Sequence, residues 1–192
     1  MSKFYIADNH FNHKLMAELR GFASPLKMNL FMFEYWNSIV RNGDLVYFLG
    51  DLAMPNKGDG NDIAEILAKL NGQIYFVLGN HDWKNINLFR GFERKIIKMV
   101  DLAYIKTSNG YPIMLCHYSM QTWRKSCHGS WHLFAHSHGK VQPIGLSHDV
   151  GVDNNGFVPL SEIQIEKIML DKIDEKCYNK DDANELEKRK NQ

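Results

Sequence analysis

The sequence predicts an α/β protein in which a parallel sheet is joined by a second sheet. Two features carry the parallel sheet. Leu45 to Leu49 (LVYFL) and Ile74 to Leu78 (IYFVL) are uninterrupted apolar runs of strand length, and between them Ile63, Ile66, Leu67 and Leu70 fall on one side of a helix. Strand, helix and strand in that order form a βαβ unit with parallel strands, and strands covered on both faces are apolar throughout. The third feature is the pair LAYIKTS and YPIMLCH on either side of Asn109-Gly110, which reads as an antiparallel hairpin and so as part of a second sheet.

Taken in order, Lys3 to Ala7 (KFYIA) is a short buried strand, and Asn12 is placed to cap a helix that begins HKLMAELR. From Asn29 to Arg41, the side chains of Met32, Phe33, Trp36, Ile39 and Val40 line one face of a helix that Asn42-Gly43 stops. A loop rich in Gly, Asp and Asn precedes the βαβ helix, which Asn71-Gly72 closes. Arg90, Arg94, Lys95 and Lys98 read as a solvated face. WHLFAHSHG, from Trp131 to Gly139, supplies another strand and its exit loop, and SEIQIEKIML reads as a final helix or strand.

A chain of 192 residues with 44% hydrophobic content builds one well-filled core rather than two. We expect one domain over residues 1–170, then a mixed-charge tail over 171–192, helical or disordered. The 23 basic and 22 acidic residues leave a net charge of +1, which argues against strong nonspecific binding to nucleic acid. Cys116, Cys127 and Cys177 are odd in number and lack C-x-x-C spacing, which speaks against a disulfide framework and for a reduced setting. The N-terminal apolar stretch is too short for a signal-peptide core and no later segment is long enough to span a bilayer, so a cytoplasmic protein without a membrane partner is expected.

Each expected strand ends in a side chain able to hold a metal: Asp8 with His10, Asp51, Asn80, His117, and His136 with His138. Any one of these is an ordinary turn or surface residue. Together they place ligand types at one edge of the sheets, where α/β proteins carry their ligands. Carboxylate, amide and imidazole donors suit Zn, Mn, Fe, Co or Ni better than an all-oxygen Ca or Mg site, and seven donors are too many for one such ion and natural for two. His136 and His138, one residue apart on an extended segment, point to opposite sides and so would serve two ions.

These motifs resemble those of the calcineurin-like metallophosphoesterases: D-x-H (Asp8, His10), G-D (Gly50, Asp51), G-N-H-D (Gly79, Asn80, His81, Asp82), a lone His117 and H-x-H (His136, His138). DNHFNHK, CHYSMQTW and GSWHLFAHSHG are similar to a small single-domain bacterial and phage-type branch. The resemblance implies a four-layer α/β/β/α sandwich of two mixed β-sheets flanked by helices. It also implies two divalent transition-metal ions, with manganese favoured. Asp8, His10 and His138 would hold one ion, Asn80, His117 and His136 the other, and Asp51 would bridge them. Three departures stand out. Ala135 precedes His136 where the family usually has glycine, so the backbone there must avoid a positive φ or accept strain. Leu-Ala-Met follows Asp51, unlike the protein Ser/Thr phosphatases. Ser119 stands where relatives often have proline, with only a loop effect expected.

Two cations about 3.5–4 Å apart activate a bridging water and stabilise the attacking and leaving oxygens of an in-line displacement. His81, beside the ligand Asn80, is then free to act as general acid. Asp82 either orients a neighbouring histidine or caps the following turn. His13 is a candidate contact for the substrate phosphate. Trp123 and Arg124, with Lys125, His128, Trp131 and His132, form an aromatic and basic loop that would stack a base and hold a second phosphate, ordinary packing being at least as good a reading for Trp131 and His132. The expected partner is thus a small phosphoester, nucleotide-like diesters ahead of monoesters. The competing readings are a noncatalytic metal-binding scaffold of the same fold, against which His81 weighs, and a nucleic-acid-processing nuclease, for whose capping domains 192 residues leave no room.

Overall fold

A computed structural model of the chain describes residues 1–55 and 61–174. Its elements are β1 (Lys3–Ile6), α1 (Lys14–Leu19), α2 (Pro25–Ile39), β2 (Leu45–Phe48), α3 (Asn61–Lys69), β3 (Gln73–Val77), α4 (Asn80–Trp83), β4 (Ile96–Val100), β5 (Leu102–Lys106), β6 (Pro112–Cys116), β7 (Trp131–Phe134), β8 (Ser147–Asp149), β9 (Leu160–Ser161) and α5 (Glu162–Asp174). Short 3-10 turns occupy Ile86–Phe89 and Ser126–His128. The strands form two mixed sheets, in the orders β4-β3-β2-β1-β9 and β5-β6-β7-β8. In the first, β1 to β4 are parallel and β9 is antiparallel; in the second, the β5–β6 hairpin is antiparallel while β6, β7 and β8 are parallel.

Alternation along the strands explains the layers. Phe4, Ile6, Val46, Phe48, Ile74 and Phe76 point to one face of the first sheet and pack with Met28, Met32 and Trp36 of α2 and Ile63, Ile66 and Leu67 of α3. Tyr5, Ala7, Tyr47, Leu49 and Val77 point the other way, into a second apolar cluster with Ile113, Leu115, Trp131 and Leu133 of the second sheet and Ile165 and Met169 of α5. In-register pairing of Tyr5, Tyr47 and Tyr75 brings neighbouring rings to 5.2 Å between the sheets. No helix among the described residues is long and apolar enough to cross a membrane.

Several local expectations change. His13, not Asn12, caps α1: its Nδ1 accepts from the Met16 N–H at 3.4 Å, while Asn12 sits at φ 65° and its amide pairs with Asn29. Helix α2 starts earlier than its apolar face suggested, at Pro25, with Ser24 accepting from the Lys27 N–H and proline in the first turn where no N–H is needed. Arg90, Arg94 and Lys98 are exposed as expected, whereas Lys95 is partly buried. The stretch leads into edge strand β4, and the Lys95 ammonium donates to the Leu70 and Gly72 carbonyls while Lys98 lies over Tyr75. SEIQIEKIML resolves as both alternatives, since Ser161 ends β9 and helix α5 begins at the next residue. Ser161 and Gln164 bond reciprocally as a capping box. Strand β8 was not foreseen, and β9 only at Ser161, both being too short to carry a pattern. The tail expected from 171 enters α5 as far as Asp174, and its remainder, 175–192, lies outside the described residues, as do residues 56–60 of the expected Gly-rich loop.

Trp36 is fully buried, and its indole N–H donates to the Asn71 carbonyl at 3.0 Å, locking α2 to the end of the α3 connection. Trp36→Ala should cost about 3–5 kcal/mol in urea denaturation. A loss under 1 kcal/mol would show that α2 is dispensable to the first core.

Candidate metal centre

Parallel pairing puts the carboxyl ends of β1, β2 and β3 on one edge, and parallel pairing of β6, β7 and β8 does the same for the second sheet. The two edges meet. Ala7 bridges Gly151, the Val152 N–H donates to the Ala7 carbonyl at 3.1 Å, and the His136 N–H donates to Asp8 Oδ2 at 2.9 Å. Chain reversal at this junction is abrupt. Asp8, His10, Asp51, His136 and His138 all have φ between 48° and 70°, the left-handed region. Ala135, where the sequence raised concern, keeps a negative φ, and the positive angles fall on the histidines on either side of Ser137. The segment carrying His136 and His138 is therefore not extended, and turned backbone rather than strand alternation separates the two rings.

Donor atoms of Asp8, His10 and His138 lie within 4.8 Å of one another, as do those of Asp51, His117 and His136, and those of His10, Asp51 and His81. Asp51 stands between them: its Oδ2 is 3.6 Å from His10 Nε2, 3.6 Å from His117 Nε2 and 3.9 Å from His81 Nε2. Asn80 Oδ1 is 3.3 Å from His117 Nε2, which is 3.2 Å from His136 Nδ1. Asp8 Oδ1 and both ring nitrogens of His10 are buried without a hydrogen-bond partner. Buried polar atoms without partners are costly, and here they belong to ligand types converging on one place, so the residues fit divalent cations.

The surroundings are built for close approach. A Cβ on Gly79 would lie 2.3 Å from Asp51 Oδ1, and one on Gly50, at φ +94°, would lie 2.5 Å from His117 Nδ1, so only glycine fits at either position. Asp82 neither orients a histidine nor merely caps its own turn. Fully buried, it accepts from the N–H groups of Asp51 (2.6 Å), Gly79 (2.8 Å) and Leu52 (3.1 Å), tying the ends of β2 and β3 together. The His81 N–H donates to Asp51 Oδ1 at 2.9 Å. His117 Nδ1 lies 2.7 Å from the Leu49 carbonyl, which leaves Nε2 for the cluster. His138 Nδ1 lies 2.6 Å from Asp153 Oδ2, and Arg20 pairs with both Asp153 oxygens at 2.7 Å. Asp153 and Arg20 escaped the sequence reading because neither belongs to a ligand motif.

His13 sits beside the cluster, its ring 5.4 Å from that of His10 and 5.9 Å from that of His81. Tyr118, half exposed, flanks His136 at 4.8 Å. The aromatic and basic loop lies elsewhere. It leaves His117 at the site but returns to the start of β7, the opposite end from His136. There the Trp123 indole donates to the Ser130 carbonyl and Arg124 lies over Tyr104 on β5. Trp131 is buried against Tyr111, and His132 is bonded to the Met114 carbonyl and the Met120 N–H.

A family model of calcineurin-like phosphoesterases matches residues 5–159. The chain belongs to the calcineurin-like phosphoesterase family. An uncharacterized protein of Methanocaldococcus jannaschii is 33% identical over 179 residues, covering 88% of this chain and 92% of that protein. A crystal structure of a protein of unknown function from Aquifex aeolicus has a TM-score of 0.64 at 22% identity, covering 87% of this chain and 98% of that one, and shows the shared fold. Membership places the chain among metal-dependent phosphoesterases.

In this phosphoesterase the titration of the cluster reflects its burial. Desolvation pushes the Asp8 carboxyl up to about 7 against the pull of His117 and His138. Burial acts on Asp51 in the same sense, but contacts from His117, His10 and the His81 N–H outweigh it and hold that carboxyl at about 2. Burial takes His10 down to about 2, whereas Asp153 raises His138, and Asp51 and Asp8 raise His117 in spite of its burial. A carboxyl titrating near 7 in the metal-free protein is protonated below that pH, and an ion binding there must expel the proton. The raised histidines add the same sign. Metal affinity should therefore fall as the pH drops through 7. Calorimetry with Mn(II) in buffers of different ionisation enthalpy should show more protons released at pH 6 than at pH 8. Equal release would mean that these groups are already in their basic forms at pH 6.

Proposed function

We propose that the chain is a dinuclear phosphoesterase that hydrolyses nucleotide-like phosphodiesters ahead of phosphomonoesters. The observation that carries this reading is the Asp51 carboxylate, within 3.6 Å of imidazoles from two different donor groups, beside buried ligand atoms that have no other partner. Asp8, His10 and His138 would hold one ion, Asn80, His117 and His136 the other, and Asp51 would serve both. Manganese is favoured among Mn, Zn, Fe, Co and Ni because oxygen donors accompany imidazole and no thiolate is present in the donor set. When bound, two such ions lower the pKa of a water and neutralise charge developing on the phosphoryl oxygens.

The chain's own groups do the rest. Asp51, fixed by the His81 N–H and enclosed by Gly79, sets the spacing of the two donor groups. The His81 side chain is 27% exposed and 3.9 Å from Asp51, so it faces both the site and solvent, the position from which an imidazolium donates a proton to a leaving alkoxide. His13 has Nδ1 committed to the α1 cap, which leaves Nε2–H as a donor for a phosphoryl oxygen. The guanidinium of Arg20 is spent on Asp153 and on the Asp8 and Asn9 carbonyls, so it is not free to pair with the second charge of a monoester dianion. That favours the singly charged diester. The packing of Trp123 and Arg124 against the second sheet gives the crossover a supporting role, and the diester preference does not rest on it.

Metal-free protein reconstituted with each candidate metal and offered monoesters, linear diesters and cyclic nucleotides tests the activity and separates an enzyme from a scaffold. Elemental analysis should find two ions per chain at saturation, and Asp51→Ala should lose more metal and more rate than any single terminal-ligand variant. Near-normal metal content in Asp51→Ala would overturn the bridge.

His81→Asn should keep both metals and lose about 100- to 10,000-fold in rate on alkyl or ribose esters, whose leaving oxygens need a proton. The loss on nitrophenyl esters should be distinctly smaller. Equal losses with metals retained would make His81 a phosphate ligand, and loss of one ion would make it a metal ligand with His10 and Asp51.

A further inference from the structure

We infer that Arg20 and Asp153 are positioning residues that set the affinity of one metal site and not of the other. The inference rests on the two-ion reading of the same cluster. Arg20 ends α1 with its side chain only 3% exposed, and its guanidinium holds two separate pieces of chain at once, the turn at Asp8 and Asn9 and the turn at Asp153. Nε and Nη2 each donate to Asp153 at 2.7 Å, Nη2 also donates to the Asp8 carbonyl at 2.7 Å, and Nη1 donates to the Asn9 carbonyl at 3.0 Å. Asp153 then reaches His138 Nδ1 at 2.6 Å. Its turn is itself held rigidly, because the Asn155 amide donates to the Asp149 and Gly151 carbonyls.

Every member of the chain Arg20, Asp153, His138 and Asp8 belongs to, or supports, the donor group of Asp8, His10 and His138. A carboxylate accepting from one ring nitrogen of a histidine fixes the tautomer and aims the other nitrogen as a lone pair, which makes the imidazole a better ligand. The same guanidinium pins the left-handed backbone at Asp8, so one cation orients two ligands of one ion. The rings of the other donor group have different support: His117 is oriented by the Leu49 carbonyl and lies against Asn80, and His136 meets Asp8 through its backbone N–H while its ring lies on His117. Lysine could not replace Arg20, since an ammonium cannot reach two carboxylate oxygens and two carbonyls in one plane.

The test separates the sites. In a His136→Asn background, where the second site is crippled, equilibrium dialysis with Mn(II) reads the first site. There Asp153→Asn and Arg20→Lys should each weaken binding by about 10- to 100-fold. In a His138→Asn background, which leaves the second site, the same substitutions should leave the affinity unchanged. Equal weakening in both backgrounds would reduce the pair to a general structural role and overturn the inference, as would no weakening in either. Arg20→Lys covers the case in which Asp153→Asn does not fold. If the unsubstituted chain binds one ion at saturation, the two-ion reading falls by itself, and the inference then stands or falls on whether Asp153→Asn weakens that ion.

Discussion

The structure turns on one electrostatic constraint: two carboxylates, Asp8 and Asp51, are buried where the edges of two sheets meet. An uncompensated carboxylate is among the most costly groups to bury, and the chain surrounds this pair with imidazoles and N–H donors without satisfying Asp8 Oδ1. Desolvation holds Asp8 near 7, where a cation would draw it down, while Asp51, in contact with two imidazoles, stays ionised. The division of labour follows. Asp51 carries its charge near neutral pH, and the charge of Asp8 depends on what lies beside it.

Backbone conformation is the second part of the same constraint. Five of the donor residues sit in the left-handed region, which costs a non-glycine residue about 1–3 kcal/mol each unless the surroundings over-determine it. Here they do. The N–H groups of Asp8, His10 and Phe11 donate to the carbonyls of Gly50, Asp51 and Leu52, so the turns after β1 and β2 brace each other, and Asp82 gathers three N–H groups from the ends of β2 and β3. Aspartate, asparagine and histidine tolerate positive φ better than bulkier residues, so the residue types that suit a metal also suit the turns that present it. The two apolar clusters on either face of the first sheet supply the rigidity that keeps these turns in place.

Much of this was legible in the order of residues. LVYFL and IYFVL could only be buried strands, and the helical spacing of Ile63, Ile66, Leu67 and Leu70 between them made the pair parallel, which puts Asp51 and Asn80 on one edge. The hairpin around Asn109-Gly110 was equally plain. Strands β8 and β9 were not, because two or three residues carry no period, and β4 was hidden because a half-exposed edge strand with lysines in and beside it reads as surface. The packing of the loop with Trp123 and Arg124 was not legible for a related reason. Sequence position places it between His117 and His136, and the crossover between the parallel strands β6 and β7 carries it back to the start of β7.

The sequence by itself determined the strands of the parallel core, the hairpin, the family and the set of donor types, because these depend on local period, turn chemistry and short motifs. Tertiary structure alone decided how the donors are grouped and held. His136 and His138 part company through two left-handed residues rather than through strand alternation, and Asp82 serves three backbone amides rather than a histidine. Arg20 and Asp153, 133 positions apart, meet on His138 and Asp8. No local pattern encodes such meetings. They arise only once the two sheets pack with their carboxyl ends together and bring buried polar atoms within hydrogen-bonding reach of one another.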